Sequence, residues 1–226
     1  MKINFHENRL VGLLLTFIGG MLDSYTYIHY GAFASAQTGN LILAIIGVYD
    51  HNWESVGKKL LSTAFFFIGI MLAKFMIDYF NHKKFHFWRL FLLYIQALIF
   101  FILSFNAIQL HPSIVTIIIA FTAAIQWTSF DKINGLAYTN LFTTGNLKGL
   151  ASNFYDYLKT KDKQFRERSI HFLSVVTVFI LGVVVSVYLY HLYGRHMIIS
   201  VAILFLFLAV SQTFLIIRFF REARRF

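Results

Sequence analysis

The chemistry available to this chain sits in a few polar residues set inside very apolar sequence. Asp23 lies about 13 residues into the apolar run that begins at Leu10, which at about 1.5 Å per residue puts it some 20 Å deep in a helix. A carboxylate at that depth must face other protein groups and be paired, solvated or protonated. That admits proton coupling or solute binding as readily as helix packing. Thr38-Gly39-Asn40 and Thr144-Gly145-Asn146 form the second candidate group. Each tripeptide trails a long apolar run and opens a short one, so each is placed to start a helix inside the membrane. Its free N–H groups, Thr hydroxyl and Asn amide would then turn into the protein. Such a turn suits an anion or a polar solute, and it equally suits a cap that only holds helices together. Gln37, ahead of the first motif, and Gln126 and Lys148, flanking the second, complete the candidate binding set.

The context of the motif is repeated too. Gly31 precedes the first copy as Gly135 precedes the second, and Leu41 and Leu147 follow them, so two related halves offset by 106 residues cover about 10–107 and 112–219. An odd number of spans in each half makes the halves inverted. Thr38, Gly39 and Asn40 would then meet Thr144, Gly145 and Asn146 from opposite sides, as in many secondary transporters with sites at the midplane.

The elements that must position these residues are membrane helices. Of 226 residues 58% are hydrophobic, 19% aromatic and 13% charged, with one proline and no cysteine, which leaves too little polar surface for a soluble domain. The fold class expected is an all-α integral membrane protein, a single polytopic domain over 1–226. Six stretches are long enough to cross a bilayer core of about 30 Å: 10–28, 60–79, 90–107, 114–130, 170–191 and 197–219. Two short apolar segments, 38–49 and 144–158, are re-entrant or interfacial by length, or cross after all if they start near Ala32 and Leu136. The second is amphipathic, with Leu147, Leu150, Phe154 and Leu158 opposite Lys148, Ser152 and Asp156. A charged stretch, 159–168, reads as a connector.

Six spans with both termini inside put 16 Lys and Arg residues, Lys2, Arg224 and Arg225 among them, on the inner side, against Lys58, Lys59 and Arg195 outside. The arginine tail would lie against anionic inner-leaflet lipid. The net charge of +10 therefore reflects membrane orientation, and no basic stripe points to nucleic acid. Lys2 and Arg9 ahead of Val11–Leu22 imitate a secretory signal, but cleavage at Ala34-Ser35-Ala36 would destroy the first motif unit, so this run is the first span. Lys74 is close enough to a helix end to snorkel, or to pair with Asp78 one turn on. Gln96, Thr122 and Asn106 are expected in interhelical hydrogen bonds.

Gly20-Met21-Leu22-Asp23, Gly31-Ala32-Phe33 and Gln37-Thr38-Gly39-Asn40 resemble the signature of the YoaK-like family of bacterial multi-pass membrane proteins, defined by a domain of unknown function. Gln126, Gly135 and Thr144-Gly145 match the second-half pattern. Trp127 departs from it, standing where an asparagine is commoner. The resemblance implies a multi-pass protein of the bacterial cytoplasmic membrane.

The absence of cysteine removes thiol catalysis and cysteine metal sites, the nine histidines form no metal-ligand pattern, and no nucleotide loop or nucleophile elbow occurs. No catalytic residue, cofactor or metal is expected. The expectation is a small secondary transporter or facilitator of a polar or anionic small solute, with membrane lipid as its surroundings. The alternative is a membrane scaffold or regulatory subunit. Gly19-Gly20 and other small residues serve packing within one chain or between copies of a homo-oligomer.

Overall fold

The computed structural model describes residues 5–223; Lys2, Arg224 and Arg225 lie outside the described residues. Asn8 opens α1 (Arg9–Tyr30) by accepting from the Leu10 N–H at 2.8 Å, and Gly31, at φ 66°, ends it with its N–H on Tyr27 O at 2.9 Å. Glycine takes that left-handed turn without strain, and the chain doubles back along α1. α2 (Gln37–Tyr49) and α3 (Trp53–His82) form a helical hairpin, α3 being capped by the Asn52 side chain, which accepts from Ser55 N at 3.1 Å. α4 (Trp88–Leu103), the single turn α5 (Asn106–Gln109) and α6 (Pro112–Ser129) follow. β1 (Lys132–Ile133) and β2 (Leu136–Ala137) make a small antiparallel hairpin with Lys132 opposite Ala137. α7 (Thr144–Thr160) and α8 (Lys163–Tyr193) form a second helical hairpin, and a 3-10 turn, Gly194–Met197, leads into α9 (Ile198–Ala223).

Among the described residues four continuous helical stretches are long and apolar enough to cross a membrane: α1, α3, α6, and the run Lys163–Glu222 that joins α8 to α9. α2 and α4 are apolar but shorter. The chain is thus an all-helical protein with four helices long and apolar enough to span a membrane, but two expected boundaries need correction. The stretch expected over 90–107 breaks after Leu103, because the Gln109 side chain turns back and donates to Leu103 O at 2.6 Å, satisfying a carbonyl that a continuous helix would have used. The connector expected over 159–168 shrinks to Lys161 and Asp162. Lys161 takes a left-handed φ of 56°, and Asp162 caps α8 by accepting from Gln164 N at 2.8 Å. Neither short helix starts near Ala32 or Leu136: residues 31–36 are non-helical and Leu136 lies in β2.

α1 is the central helix, with 67% of its most apolar window buried against 22% in α3. It runs parallel to α8, as the Arg9–Ser174 bond at one end (3.1 Å) and the His29–Tyr190 bond at the other (2.8 Å) require. Close approach is possible because Gly20 and Gly182 face the partner backbone, where a Cβ would overlap the carbonyls of Phe179 and Phe17. The small residues expected to serve packing are therefore used within the chain. α6 lies on α3, α2 on α3, α7 on α8, and α4 on α9 in antiparallel fashion, fixed by the stacked Phe100–Phe205 rings and the Tyr94–Thr213 bond (2.9 Å). Ile45, Phe67, Leu98, Ile180 and Phe207 are exposed on the outer faces, the side that hydrocarbon would cover.

Candidate functional site

Residues 31–36 and 138–143, which precede α2 and α7, meet beside the middle of α1. Asp23 is 6% exposed, and its two carboxylate oxygens accept from Ser35 N at 2.7 Å and Ser35 Oγ at 2.6 Å. The backbone amides of Ala34 and Ala36 also face it. The amides of the loop ahead of α2 are thus turned onto the chain's own carboxylate. Ser35 Oγ is also 3.1 Å from Leu141 O, so one hydroxyl joins Asp23 to the second loop.

The two asparagines perform one job twice. Asn40 Oδ1 accepts from Phe33 N (2.8 Å) while its Nδ2 donates to Phe33 O (2.9 Å). Asn146 treats Thr139 identically, at 3.1 Å and 2.8 Å. Each buried side chain therefore satisfies both main-chain groups of the residue seven positions earlier and ties the loop to the first turn of the helix. Gln37 extends the first clasp. Its Oε1 accepts from Asn40 Nδ2 and Thr63 Oγ1, both at 2.9 Å, and its Nε2 donates to Ala34 O at 3.1 Å.

The second loop is less completely paired. Gln126 is fully buried, with Nε2 3.3 Å from Leu15 O and 3.4 Å from Asn140 Oδ1, while its Oε1 has no partner. Ser129 Oγ and Thr143 Oγ1 are likewise buried without partners. At the motif offset of 106 residues Asp23 falls on Ser129 and Ser35 on Leu141. The second half therefore has a hydroxyl where the first has a carboxylate.

Of the sequence-derived candidates, Asp23, Gln37, Asn40, Gln126 and Asn146 are brought to this junction. Thr38, Thr144, Gly145 and Lys148 are exposed on the outer sides of α2 and α7, and Gly39 packs under the Phe33 ring. The motifs do not meet each other; the loops ahead of them do. Lys74 is exposed and forms no ion pair with Asp78, and Trp127 packs its ring against Phe66 and Phe142, an apolar role. Lys59, assigned by charge placement to the outer side of the membrane and to no site, is only 7% exposed and bonded to Ser55. Ser55, Lys59, Ser62 and Thr63 form a polar face on α3 turned to Gln37 and Asn40. The three-to-four-residue spacing of those polar residues was the available signal. At the far end of α1 the hydroxyls of Tyr25 and Tyr30 converge on Gln109 Oε1, sealing the core on that side.

The profile of a family described as Protein of unknown function (DUF1275) matches residues 11–211. No curated protein and no solved structure matches the chain. Because the match runs from α1 into α9 and takes in both clasped loops, this chain belongs to the DUF1275 family.

Proposed function

We propose that the protein is a small secondary carrier or facilitator of a polar or anionic solute in the bacterial cytoplasmic membrane. Its binding centre is the junction of residues 33–36 and 139–143 beneath Asp23. The observation that carries this reading is the shared hydroxyl of Ser35. It has one proton to give. With Asp23 ionised, that proton serves the carboxylate. With Asp23 protonated, Asp23 can donate to Ser35 Oγ, and Ser35 can then donate fully to Leu141 O. Proton occupancy at Asp23 is thereby coupled to the contact between the two loops, which is the coupling a proton-linked carrier needs. Gln126 Oε1, Ser129 Oγ and Thr143 Oγ1 supply unused polar atoms for a solute on the other side of that contact.

In this reading α1, α3, α4, α6, α8 and α9 are the six spans, α2 and α7 are re-entrant, and both termini face inward. The halves 10–107 and 112–219 are inverted repeats. Support comes from the paired clasps and from the exchange of packing partners: α1 lies on α8 as α6 lies on α3, and α2 on α3 as α7 on α8. The role is transport, with no catalytic step. Lipid and the solute are the partners, nucleic acid is not, and self-association is not needed to complete the centre.

The test is uptake and dye-reported proton movement in proteoliposomes, screened with acetate, succinate, glutamate, uracil and glucose. Asp23→Asn should abolish proton movement while solute exchange persists. Unchanged coupled uptake after combined Asp23→Asn, Asn40→Ala and Asn146→Ala changes would end the assignment. One observation favours a scaffold instead: Asn40 and Asn146 each hold both main-chain groups of a loop residue, and Asn40 also bonds Gln37, so their polar atoms are already engaged within the chain. That reading expects no solute uptake and no midpoint shift with any solute, whatever those substitutions cost in stability.

A further inference from the structure

A cavity of about 880 Å³, separate from the Asp23 junction, lies at the end of the bundle where α1 begins, between α1, α4, α9 and the turn from α3 to α4. It begins beside Val11, so it is about 18 Å along α1 from Asp23. Its walls are mostly rings, including Phe80, Trp88, Phe130 and Phe219. Two polar groups in the lining stand out. Gln212, 4% exposed, has neither its amide oxygen nor its amide nitrogen hydrogen-bonded. Arg89 lies over the Trp88 ring at 4.6 Å with Nε donating to Ser129 O at 2.8 Å, and its terminal nitrogens have no hydrogen-bond partner among the described residues.

We infer that this cavity is a binding site for a small aromatic carboxylate that carries an amide-like donor and acceptor edge at its other end. The rings offer stacked and edge-on partners to a flat body. Arg89, held flat by Trp88 and Ser129, presents two parallel N–H groups to a carboxylate. Asp131 and Glu7 act electrostatically on Arg89, so a single negative charge fits better than a phosphate cluster. Gln212 asks for one donor and one acceptor together, which an amide or lactam edge supplies. Thr213 bonds Tyr94 across the antiparallel helix pair, so Gln212 lies about six residues, or roughly 9 Å, from Arg89 along α4, within the span of a ring that carries a polar group at each end. His6 also lines the cavity, and burial, aided by Arg89, holds its pKa down to about 4, so near neutral pH it adds a neutral wall. An acyl chain would satisfy the rings but leave Gln212 unpaired.

The experiment is calorimetric titration of the full chain in nanodiscs with 4-carbamoylbenzoate, benzoate, terephthalamide and oleate. The expected result is tightest binding of 4-carbamoylbenzoate, with benzoate and terephthalamide each at least tenfold weaker. Gln212→Leu should lower 4-carbamoylbenzoate affinity to the benzoate level, and its unliganded melting midpoint should stay level or rise, because the change removes an unpaired buried amide. Arg89→Gln should lower it to the terephthalamide level. Equal binding of benzoate and 4-carbamoylbenzoate by the native protein would overturn the proposal without recourse to any variant. So would oleate as the sole binder, which would make the cavity a lipid seat.

Discussion

The loops ahead of α2 and α7 are built on one plan and finished differently. In both, an asparagine on the first turn holds the backbone of a residue seven positions earlier. In the first half the loop amides close on Asp23. In the second the corresponding position is Ser129, and Gln126 Oε1, Ser129 Oγ and Thr143 Oγ1 are left without partners. A clasp is therefore enough to hold an irregular loop inside the bundle, and the carboxylate is an addition on one side only. The helices that follow diverge as well. α2 exposes Ile42, Ile45 and Ile46, as a hydrocarbon-facing helix would, whereas α7 buries Asn146 alone and exposes both Lys148 and the apolar stripe of Leu147, Phe154 and Leu158. That double exposure suits a helix lying where water and hydrocarbon meet.

The comparison can be broken most directly at its point of greatest difference. Asp23→Ala leaves the Ser35 and neighbouring amides without an acceptor and should lower unfolding free energy by about 3 kcal/mol, read by titration with denaturing detergent, whereas Ser129→Ala should change it by about 0.5 kcal/mol or less. Similar losses from both would mean that Ser129 has a partner equal to that of Asp23. Next come the clasps. Asn40→Ala and Asn146→Ala should each cost about 1–3 kcal/mol, with Asn40 the larger because it also holds Gln37 and approaches Ser62. A negligible loss at either would refute the shared plan. Thr143→Val should be neutral or raise the melting midpoint, since it deletes an unpaired buried hydroxyl; a clear drop would place a bound water or solute there.

The remaining effect, seen only as pH falls, lies away from both loops, at His6. Its pKa is lowered from 6.5 to about 4, first by burial and then by Arg89, with Asp131 opposing. Between those values the unfolded chain binds a proton that the folded chain refuses, so stability is full above about pH 6.5 and falls as pH drops toward about 4. His6→Phe should flatten that part of the midpoint-against-pH curve, and an unchanged slope would assign it to other groups.

Much of the frame is legible in the residues. Apolar runs, Gly31 after α1, Pro112 opening α6 and the motif starting α7 at Thr144 mark elements through local preferences that need no distant partner. The break after Leu103 was not legible, because it depends on Gln109 reaching back to a carbonyl. The burial of Lys59 was hidden by its place beside Lys58 near a helix start. Gln212 gave no local signal at all; its meaning comes from a cavity closed by α1, α4 and α9 together.

Sequence by itself determined that this is a helical protein with runs long and apolar enough to span a membrane, a twice-used Thr-Gly-Asn motif and a carboxylate inside its first apolar run, since hydrophobic length and residue spacing are local properties. Only the tertiary structure decided what those groups do to one another. It turned the asparagines onto backbone, gave Asp23 the Ser35 N–H and hydroxyl of the loop ahead of α2, and left Ser129 Oγ, at the matching position of the second half, unpaired. Hydrogen-bond satisfaction in a dry interior is a property of the assembled neighbourhood, which residues far apart in the chain supply.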